Sequence, residues 1–449
     1  MSKGNGLTRG DVRRNERRAG LRALVPASGA VIGLDLGEKK QALAVTGADN
    51  QVLARRSPRV GVHGLGGELD WGMEKALAAG YETVTVACEP TGSRWMVVQE
   101  LCRARRVPLV CVQPLVSHIA REQQDLTGDK TDEGDCVLIA RLARELHCSV
   151  PEELDGRWAE LRAAGRDRAA QVTRATAAKQ LIRDQLGLVL PGLLEAHSEP
   201  LESATWLACL ETVLEHAAGG DLGAAAAAGC ERFAAQAAGR LAAWGGKRLG
   251  PSAARVLAAL EGPAGVPRMV RAARRRMAGA LEDLKHARNR RARAEAEMTA
   301  MLGELGIDVA RVCEIPGLSP ASLAAILAES GDPHQYASSS SLVKHAGMSP
   351  ARNESGGFQG KSAISRRGRP ALRLAAWRAA WAVLRHCGVL AARFAALTGR
   401  DRARLHDAQA RVACAASLLR WIWSLIVHGG SWDPAIAAGQ AGRTPAMAA

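Results

Sequence analysis

This sequence has no closely spaced cysteines, no long apolar runs and only two tyrosines. Each of these features argues against a class of protein. The ten cysteines include no CxxC pair, which argues against a structural zinc site and a secreted disulfide framework. No apolar run reaches the roughly 18 residues of a membrane span, and residues 1–22 lack the apolar core of a signal peptide. We therefore expect a cytoplasmic protein with no membrane partner.

Two catalytic classes are disfavoured in the same way. A tyrosine recombinase needs a tyrosine among arginines and histidines, and the only tyrosines are Tyr81, which leads into an apolar strand, and Tyr336, which has no arginine close in sequence. The phosphate-binding pattern GxxxxGK[ST] is also absent, which argues against an ATP-driven motor.

The charge of the chain predicts a polyanionic partner. Its 449 residues include 60 Lys plus Arg against 45 Asp plus Glu, which gives a formal net charge of +15. Only 10 of those 60 basic residues are Lys, and Arg can bind phosphate bidentately. This excess favours nucleic acid as the partner.

The order of β-like and helical segments predicts a mixed sheet near the N-terminus. Three hairpin-like strands are followed by alternating strands and helices, which indicates a sheet with helices packed on it. We expect a polar loop after the fifth strand and then a helix from about residue 131. The predicted strands are Val31–Leu36, Gln41–Val45, Val52–Arg56, Thr83–Cys88 and Val107–Val112.

The rest of the chain is expected to be helical. Its middle is Ala-rich with helical spacing, for example at Met277, Leu281 and Leu284, which predicts long paired helices or a coiled coil. A compact all-α domain with a tryptophan-containing core should follow. The first thirty residues are basic without periodicity and predict a flexible arm, and the last dozen predict a loose tail. The predicted division is 1–30, 31–148, 149–304, 305–437 and 438–449.

Four carboxylates of the N-terminal region could converge on one site. Asp35 ends the first strand and Glu89 ends the fourth, so they would emerge side by side if these strands are neighbours. Asp132 and Asp135 lie three residues apart and share one face of the following helix. Alone, each residue is also a common turn or helix-start residue. Together they would repel one another unless a cation were bound, and hard oxygen ligands favour Mg²⁺ or Mn²⁺.

At these residues the sequence resembles a known family. The motifs Gly33-Leu-Asp35, Glu89-Pro-Thr-Gly92 and Lys130-Thr-Asp132-Glu-Gly-Asp135 are similar to those of the DEDD transposases of bacterial insertion sequences, relatives of the Piv and MooV DNA invertases. The resemblance implies a RuvC-like, RNase H-type α/β fold for the N-terminal domain. It also implies that Asp35, Glu89, Asp132 and Asp135 bind the divalent metal.

The C-terminal region carries a second part of this resemblance. The segment 315–328 is similar to a helix-hairpin-helix element, although an ordinary pair of helices is equally compatible with it. Residues 345–373 resemble the family's C-terminal transposase domain, and its nucleophilic serine maps onto Ser355. The basic residues expected to bind nucleic acid are Lys130, Lys361, Arg366, Arg367, Arg369 and Arg373.

Taken together, the motifs predict a DNA transposase or recombinase. It would cut and rejoin DNA by metal-dependent phosphoryl transfer through a transient Ser355–DNA linkage. The resemblance further implies a structured guide RNA, a homo-oligomer (dimer or tetramer) and an active site shared between the two catalytic domains if they meet across subunits. Two alternatives stay open: a junction nuclease that needs the carboxylates but not Ser355, and a catalytically inert nucleic-acid-binding protein.

Overall fold

The computed structural model describes most of the chain as two compact units. These units are Met1–Glu153 and Leu154–Ala449. The finer division into five segments stays a prediction. The residues that the structure describes are 7–37, 40–59, 64–124, 132–151, 155–262, 265–351, 354–355, 358–359, 363–401 and 403–442.

A five-stranded mixed sheet forms the centre of the first unit, as predicted. Its strands are β1 (Ala30–Asp35), β2 (Ala42–Thr46), β3 (Val52–Arg56), β4 (Val84–Cys88) and β5 (Leu109–Cys111). The order is β3-β2-β1-β4-β5, with β2 antiparallel to β1 and β3, and with β4 parallel to β1 and β5. The helices of this unit are α1 (Arg9–Leu24), α2 (Gly64–Ala78), α3 (Arg94–Arg105), α4 (Pro114–Gln124) and α5 (Asp132–Arg144).

Both faces of the central strand β1 are covered by helices. Because side chains alternate along a strand, Ile32 and Leu34 enter the core shared with α2 and α3, whereas Val31 enters the core shared with α5. A mixed sheet covered on both faces fits the RNase H-like class that the resemblance implied.

Helix α5 crosses the sheet antiparallel to β1. Arg144, at the end of α5, donates hydrogen bonds to the carbonyls of Gly29 and Thr46, 3.1 and 3.2 Å away, beside the start of β1. A Cβ on Gly33 would lie 2.0 Å from the carbonyl oxygen of Cys136, so glycine is required for this close approach of helix and strand. The N-terminal end of α5 therefore lies at the carboxyl end of β1.

The prediction of a flexible arm is wrong for residues 9–24, which form α1. Thr8 begins this helix with a capping box. Its side chain accepts a hydrogen bond from the Asp11 backbone at 3.2 Å, and the Asp11 carboxylate accepts one from the Thr8 backbone at 3.1 Å. At the other end, Leu21 and Val25 are buried in the core shared with α5. Only a few apolar side chains anchor a helix that is otherwise basic and exposed, which explains why its sequence shows no helical periodicity.

Two long helices dominate the first half of the second unit, as predicted for this stretch. Helix α6 (Gly156–Val189) has 34 residues and helix α12 (Val270–Glu304) has 35. They pack extensively against each other, and Trp206 and Phe233 from the intervening helices complete a buried core with them. The intervening helices are α7 (Gly192–Glu195), α8 (Ala204–His216), α9 (Ala224–Ala227), α10 (Cys230–Leu241) and α11 (Ser252–Leu260).

The C-terminal part is mainly helical, but the prediction of an all-α domain is wrong around residues 350–364. Two antiparallel pairs form there, β6 (Pro350–Ala351) with β9 (Ala363–Ile364) and β7 (Glu354–Ser355) with β8 (Phe358–Gln359). This segment has no apolar helical repeat, so its backbone groups pair across a hairpin instead. The helices are α13 (Val309–Val312), α14 (Pro320–Ser330), α15 (Ser339–His345), α16 (Pro370–His386), α17 (Gly388–Thr398), α18 (Asp407–His428) and α19 (Pro434–Gly442).

The predicted loose tail also needs correction. Helix α19 continues to Gly442, and its Ala437 is buried in the C-terminal core. The tail prediction is therefore wrong for residues 438–442, while residues 443–449 lie outside the described part of the chain.

The segment predicted to be similar to a helix-hairpin-helix contains a tight turn between helices of unequal length. Helix α13 has only four residues, and Gly317 follows it with a φ of 85°. A Cβ on Gly317 would also lie 2.7 Å from the carbonyl oxygen of Ala382, so the turn packs tightly against α16. Ser319 then caps α14 by accepting a hydrogen bond from the Ser322 backbone at 3.2 Å. Phosphate binding by this segment stays a prediction.

One helix in the described ranges, α18, is long and apolar enough to cross a membrane by length and composition. A second span would arise only if α16 and α17, bent by 104°, were counted as one. Within α18, 61% of the apolar window is buried inside the protein. Core helices of water-soluble proteins meet the same criterion, so this feature is a weak indication of a membrane.

Candidate functional site

Asp35 and Glu89 lie at one edge of the sheet on neighbouring strands. Strands β1 and β4 pair in parallel with Leu34 opposite Cys88, so the next residues on each strand, Asp35 and Glu89, leave the sheet side by side. Both residues are half-buried. The condition set by the sequence analysis, that the first and fourth strands are neighbours, is therefore met.

Helix α5 brings a third carboxylate to this edge. Cys136 packs against Ala42, which is the β2 residue that pairs with Asp35. The preceding residue, Asp135, is only 7% exposed. Asp132 is the first residue of α5, one turn earlier, and its side chain lies outside the described part of the structure. The edge of the sheet thus combines two strand ends with the start of one helix.

A helix supplies partners for two of these carboxylates where a polar loop was predicted. Ser117 of α4 donates a hydrogen bond from Oγ to Glu89 Oε1. Four residues later, Arg121 donates from Nε to Asp135 Oδ1 at 2.8 Å, and its terminal nitrogen lies 2.6 Å from the same oxygen. The loop prediction for this segment is therefore wrong, and it missed both of these contacts.

Part of α4 could have been recognised from its sequence. Pro114 stands at the first helical position, where proline is favoured, and Val116 and Ala120 have helical spacing and pack toward the core of the unit. The contacts of Ser117 and Arg121 could not be predicted from the local sequence, because they depend on the position of α4 relative to the ends of distant strands.

Two buried thiols in the core between the sheet and α3, those of Cys88 and Cys102, have raised pKa values. A hydrogen bond with Cys111 and burial raise the pKa of Cys88 well above its ordinary value. Burial likewise raises the pKa of Cys102 to about 12. Because the thiolate is the form that ligates metals and attacks phosphorus or carbon, these two cysteines act as apolar core residues.

The donor chemistry of the edge fits a hard divalent cation. Asp35, Glu89 and Asp135 offer only carboxylate oxygens, the ligand type that Mg²⁺ and Mn²⁺ prefer. Within the described residues, no three His, Cys, Asp or Glu side chains are gathered into a group that could hold a metal ion. The predicted tetrad therefore remains a prediction, with its fourth member, Asp132, outside the described side chains.

Ser355 lies in a short hairpin of the second unit. It belongs to β7 and pairs with Phe358 of β8. The outer pair, Pro350 with Ile364, joins the two ends of this segment. Ser355 is described by its backbone position alone, and the predicted nucleic-acid residues Lys130 and Lys361 lie outside the described ranges.

The segment after the hairpin is held tightly against the segment before it. A Cβ on Gly368 would lie 2.4 Å from the backbone nitrogen of Gly347 and from the carbonyl oxygen of His345. The backbone of Arg369 donates a hydrogen bond to that His345 carbonyl at 2.7 Å. These contacts fix the two ends from which the Ser355 hairpin extends.

The four described arginines of the predicted basic cluster divide into two pairs. Arg366 and Arg367 are exposed. Arg369 donates to Glu329 Oε2 at 2.7 Å, and Arg373 donates to the carbonyl of Ala346 at 2.9 Å. The first pair is available to bind phosphate, whereas the second pair already holds the local fold together.

Comparison with known families matches both regions. The DEDD transposase model of the IS110 type matches residues 32–191, and the Transposase IS116/IS110/IS902 family model matches residues 309–404. The chain belongs to the IS110 family of DEDD transposases. The family resemblance inferred from its motifs is confirmed, and so is its general assignment as a transposase, a class of proteins that binds and processes DNA. A search of curated proteins gives no match.

The two matches include every predicted catalytic position of this transposase. Asp35, Glu89, Asp132 and Asp135 fall within the first match, and Ser355 falls within the second. The intervening helices α7–α12 lie outside both matches. The matches also leave the individual roles of these five residues as predictions.

A cavity in the first unit lies away from these residues. It has a volume of about 720 Å³ and is lined at one end by Thr83 and Pro108, which precede β4 and β5. None of the predicted catalytic residues lines it. It therefore lies at the opposite edge of the sheet from Asp35 and Glu89.

Proposed function

We propose that this transposase cuts and rejoins DNA by metal-dependent phosphoryl transfer with a transient Ser355–DNA linkage. The observation that carries the proposal is the meeting of Asp35, Glu89 and the start of α5 at one sheet edge in a chain of the DEDD family. Carboxylates on adjacent strand ends would hold a divalent cation, and such a cation would offset the negative charge that develops on phosphate oxygens.

In this reaction Ser355 is the nucleophile. Its Oγ loses a proton and forms a bond to the phosphorus of the DNA backbone, while the bond from phosphorus to a deoxyribose oxygen breaks and that oxygen takes up a proton. Attack by a deoxyribose hydroxyl on the Ser355 phosphodiester then rejoins the strand and regenerates the serine. The phosphodiester bond between Ser355 and DNA replaces the one that was broken, so its bond energy is conserved and no nucleoside triphosphate is needed.

The carboxylates and arginines have separate roles. Asp35, Glu89, Asp132 and Asp135 would hold Mg²⁺ or Mn²⁺, which would offset charge on the phosphate and favour ionisation of the attacking hydroxyl. Arg366 and Arg367, together with Lys130 and Lys361, would bind backbone phosphates and keep the strand in place. Arg369 and Arg373 would keep the hairpin segment folded.

The proposal includes several partners. DNA is the substrate, and a structured guide RNA selects the sites that are joined. The protein acts in the cytoplasm as a dimer or tetramer. The net charge of +15 supports binding to both nucleic acids.

Detection of a covalent protein–DNA adduct tests the serine assignment directly. The full chain would be incubated with Mg²⁺, DNA from the flanks of its own gene and RNA transcribed from the adjoining non-coding stretch, and the products separated under denaturing conditions. We expect an adduct for the wild type and none for Ser355→Ala. Ser365→Ala is the matched control, because the described contact of Ser365 is a backbone hydrogen bond to Ser349 at 2.8 Å that the substitution keeps.

The same experiment separates the alternatives. Cleavage by Ser355→Ala at the wild-type rate, without an adduct, would favour the junction nuclease, in which water attacks. Absence of cleavage and adduct in the wild type, with DNA and RNA bound, would favour the inert binding protein. An adduct that persists in Ser355→Ala would assign the nucleophile to another residue.

A further inference from the structure

Helix α4 contacts two of the proposed metal-binding carboxylates through one face. Ser117 and Arg121 are four residues apart and therefore neighbours on the helix surface. Ser117 is 1% exposed, so water does not compete for its hydrogen bond to Glu89. The side chain of Arg121 is 22% exposed and that of Asp135 is 9% exposed, so this ion pair is also largely shielded.

The two contacts differ in what they do to the carboxylate. The Ser117 hydroxyl is neutral, so it orients Glu89 without changing the charge of the site. Arg121 brings a positive charge to the buried Asp135 carboxylate, and a buried charge without a partner is costly. Both of its nitrogens approach the same oxygen, Oδ1 of Asp135, so the ion pair is made through a single carboxylate oxygen.

We propose that Ser117 and Arg121 are positioning residues that prepare this edge for a divalent cation. Ser117 fixes the rotation of Glu89, and Arg121 balances the charge of Asp135 until the cation binds. The inference rests on the metal site of the proposed function. It adds a structural reason why Glu89 and Asp135 can keep a fixed orientation in the metal-free protein, since outer hydrogen bonds commonly set the orientation of metal ligands.

The proposal predicts different signatures for the two residues. Ser117→Ala frees Glu89, and we expect the dissociation constant for Mn²⁺ to rise by about tenfold, while Ser117→Thr keeps the hydroxyl and most of the affinity. Arg121→Met keeps the apolar stem but leaves Asp135 without its counter-charge. We expect its Tm to fall in EDTA and to rise more on adding Mn²⁺ than the wild-type Tm does, because the cation then replaces the missing charge.

Both signatures can be measured without DNA. Calorimetric titration of MnCl₂ into the metal-free full chain gives the dissociation constant, and thermal melting in EDTA and in MnCl₂ gives the two Tm values. His118→Ala is the matched control on α4, because His118 pairs with Glu122 at 3.5 Å and both side chains are more than half exposed. It should leave Mn²⁺ affinity and the Mn²⁺-induced Tm shift unchanged.

Three outcomes would overturn the inference. If Ser117→Ala binds Mn²⁺ with wild-type affinity, the Ser117 hydroxyl has only a structural role and does not orient Glu89 for the cation. An unchanged Mn²⁺-induced Tm shift in Arg121→Met would mean that Asp135 does not face the cation. Absence of Mn²⁺ binding by the wild type would remove the metal site itself. None of these results depends on Ser355, so failure of the covalent mechanism is distinguishable from failure of this inference.

Discussion

The two regions that carry the proposed chemistry are built in contrasting ways. Asp35 and Glu89 follow strands of a five-stranded sheet whose central strand is buried on both faces. Ser355 lies in a strand of two residues that pairs only with β8 in the described chain. Its surroundings are held by close contacts of single residues, among them Gly368 and Arg369.

This contrast shows two solutions to the placement of reactive groups. Several ligands of one cation must keep fixed mutual distances, and a sheet edge with a packed helix provides that rigidity. A single nucleophile that must reach a phosphate needs no such array, and a short hairpin between two anchored ends suffices. Substitutions that disturb the packing of the first region should therefore lower stability and cleavage together, whereas substitutions around Ser355 should separate stability from nucleic-acid binding.

The largest effect is expected from Asp35→Asn. The substitution keeps the side-chain size but removes a charge, so DNA cleavage should fall on the order of a thousandfold while nucleic-acid binding and Tm change little. Cleavage and equilibrium binding would be measured in parallel. Asp70→Asn is the control, because Asp70 is an aspartate of the same unit that pairs with Arg105 at 2.6 Å, away from this edge. Full cleavage by Asp35→Asn with Mg²⁺ would contradict the metal assignment.

The next effect tests the rigidity of the sheet edge. Gly33→Ala inserts a methyl group 2.0 Å from the Cys136 carbonyl oxygen, so α5 must move, and unfolding free energy should fall by about 3 kcal/mol. Cleavage should fall with it. Gly279→Ala on α12 has no atom within 4 Å of the new Cβ and should instead gain about 0.5–1 kcal/mol. Denaturant unfolding measures both, and equal stabilities would show that the helix packs more loosely than the structure indicates.

The smallest effects separate the two kinds of arginine near Ser355. Arg369→Ala leaves Glu329, which is 9% exposed, without its ion-pair partner, and should cost about 1–3 kcal/mol of unfolding free energy. Arg367→Ala removes an exposed charge, so stability should hold while the slope of log affinity against log salt falls by about 1. Denaturant unfolding and salt-dependent DNA binding distinguish the two variants. If Arg367→Ala lost stability and Arg369→Ala lowered the salt slope instead, Arg367 would be the structural residue and Arg369 the phosphate-binding one.

Most of the first unit could be predicted from sequence because its strands are short apolar runs between turn residues. Five strands and the mixed sheet follow from that pattern, whereas the pairing of β1 with β4 that brings Asp35 and Glu89 together was only a condition until the strand order was known. Helix α1 could not be predicted, because few apolar residues, Leu21 among them, attach it to a core that forms from distant segments. Helix α4 was missed for a related reason, since much of its apolar surface, such as Leu115 and Ile119, stays exposed.

The sequence by itself determined the family of this transposase, its net charge and the residue types available for catalysis, because these depend on the order of residues alone. Only the tertiary structure decided that α5 runs antiparallel to β1, that Ser117 contacts Glu89 and that Arg121 contacts Asp135. It also divided the basic cluster into exposed arginines and arginines engaged with Glu329 or a backbone carbonyl. These contacts join residues from separate segments, and their partners are chosen by packing rather than by local sequence.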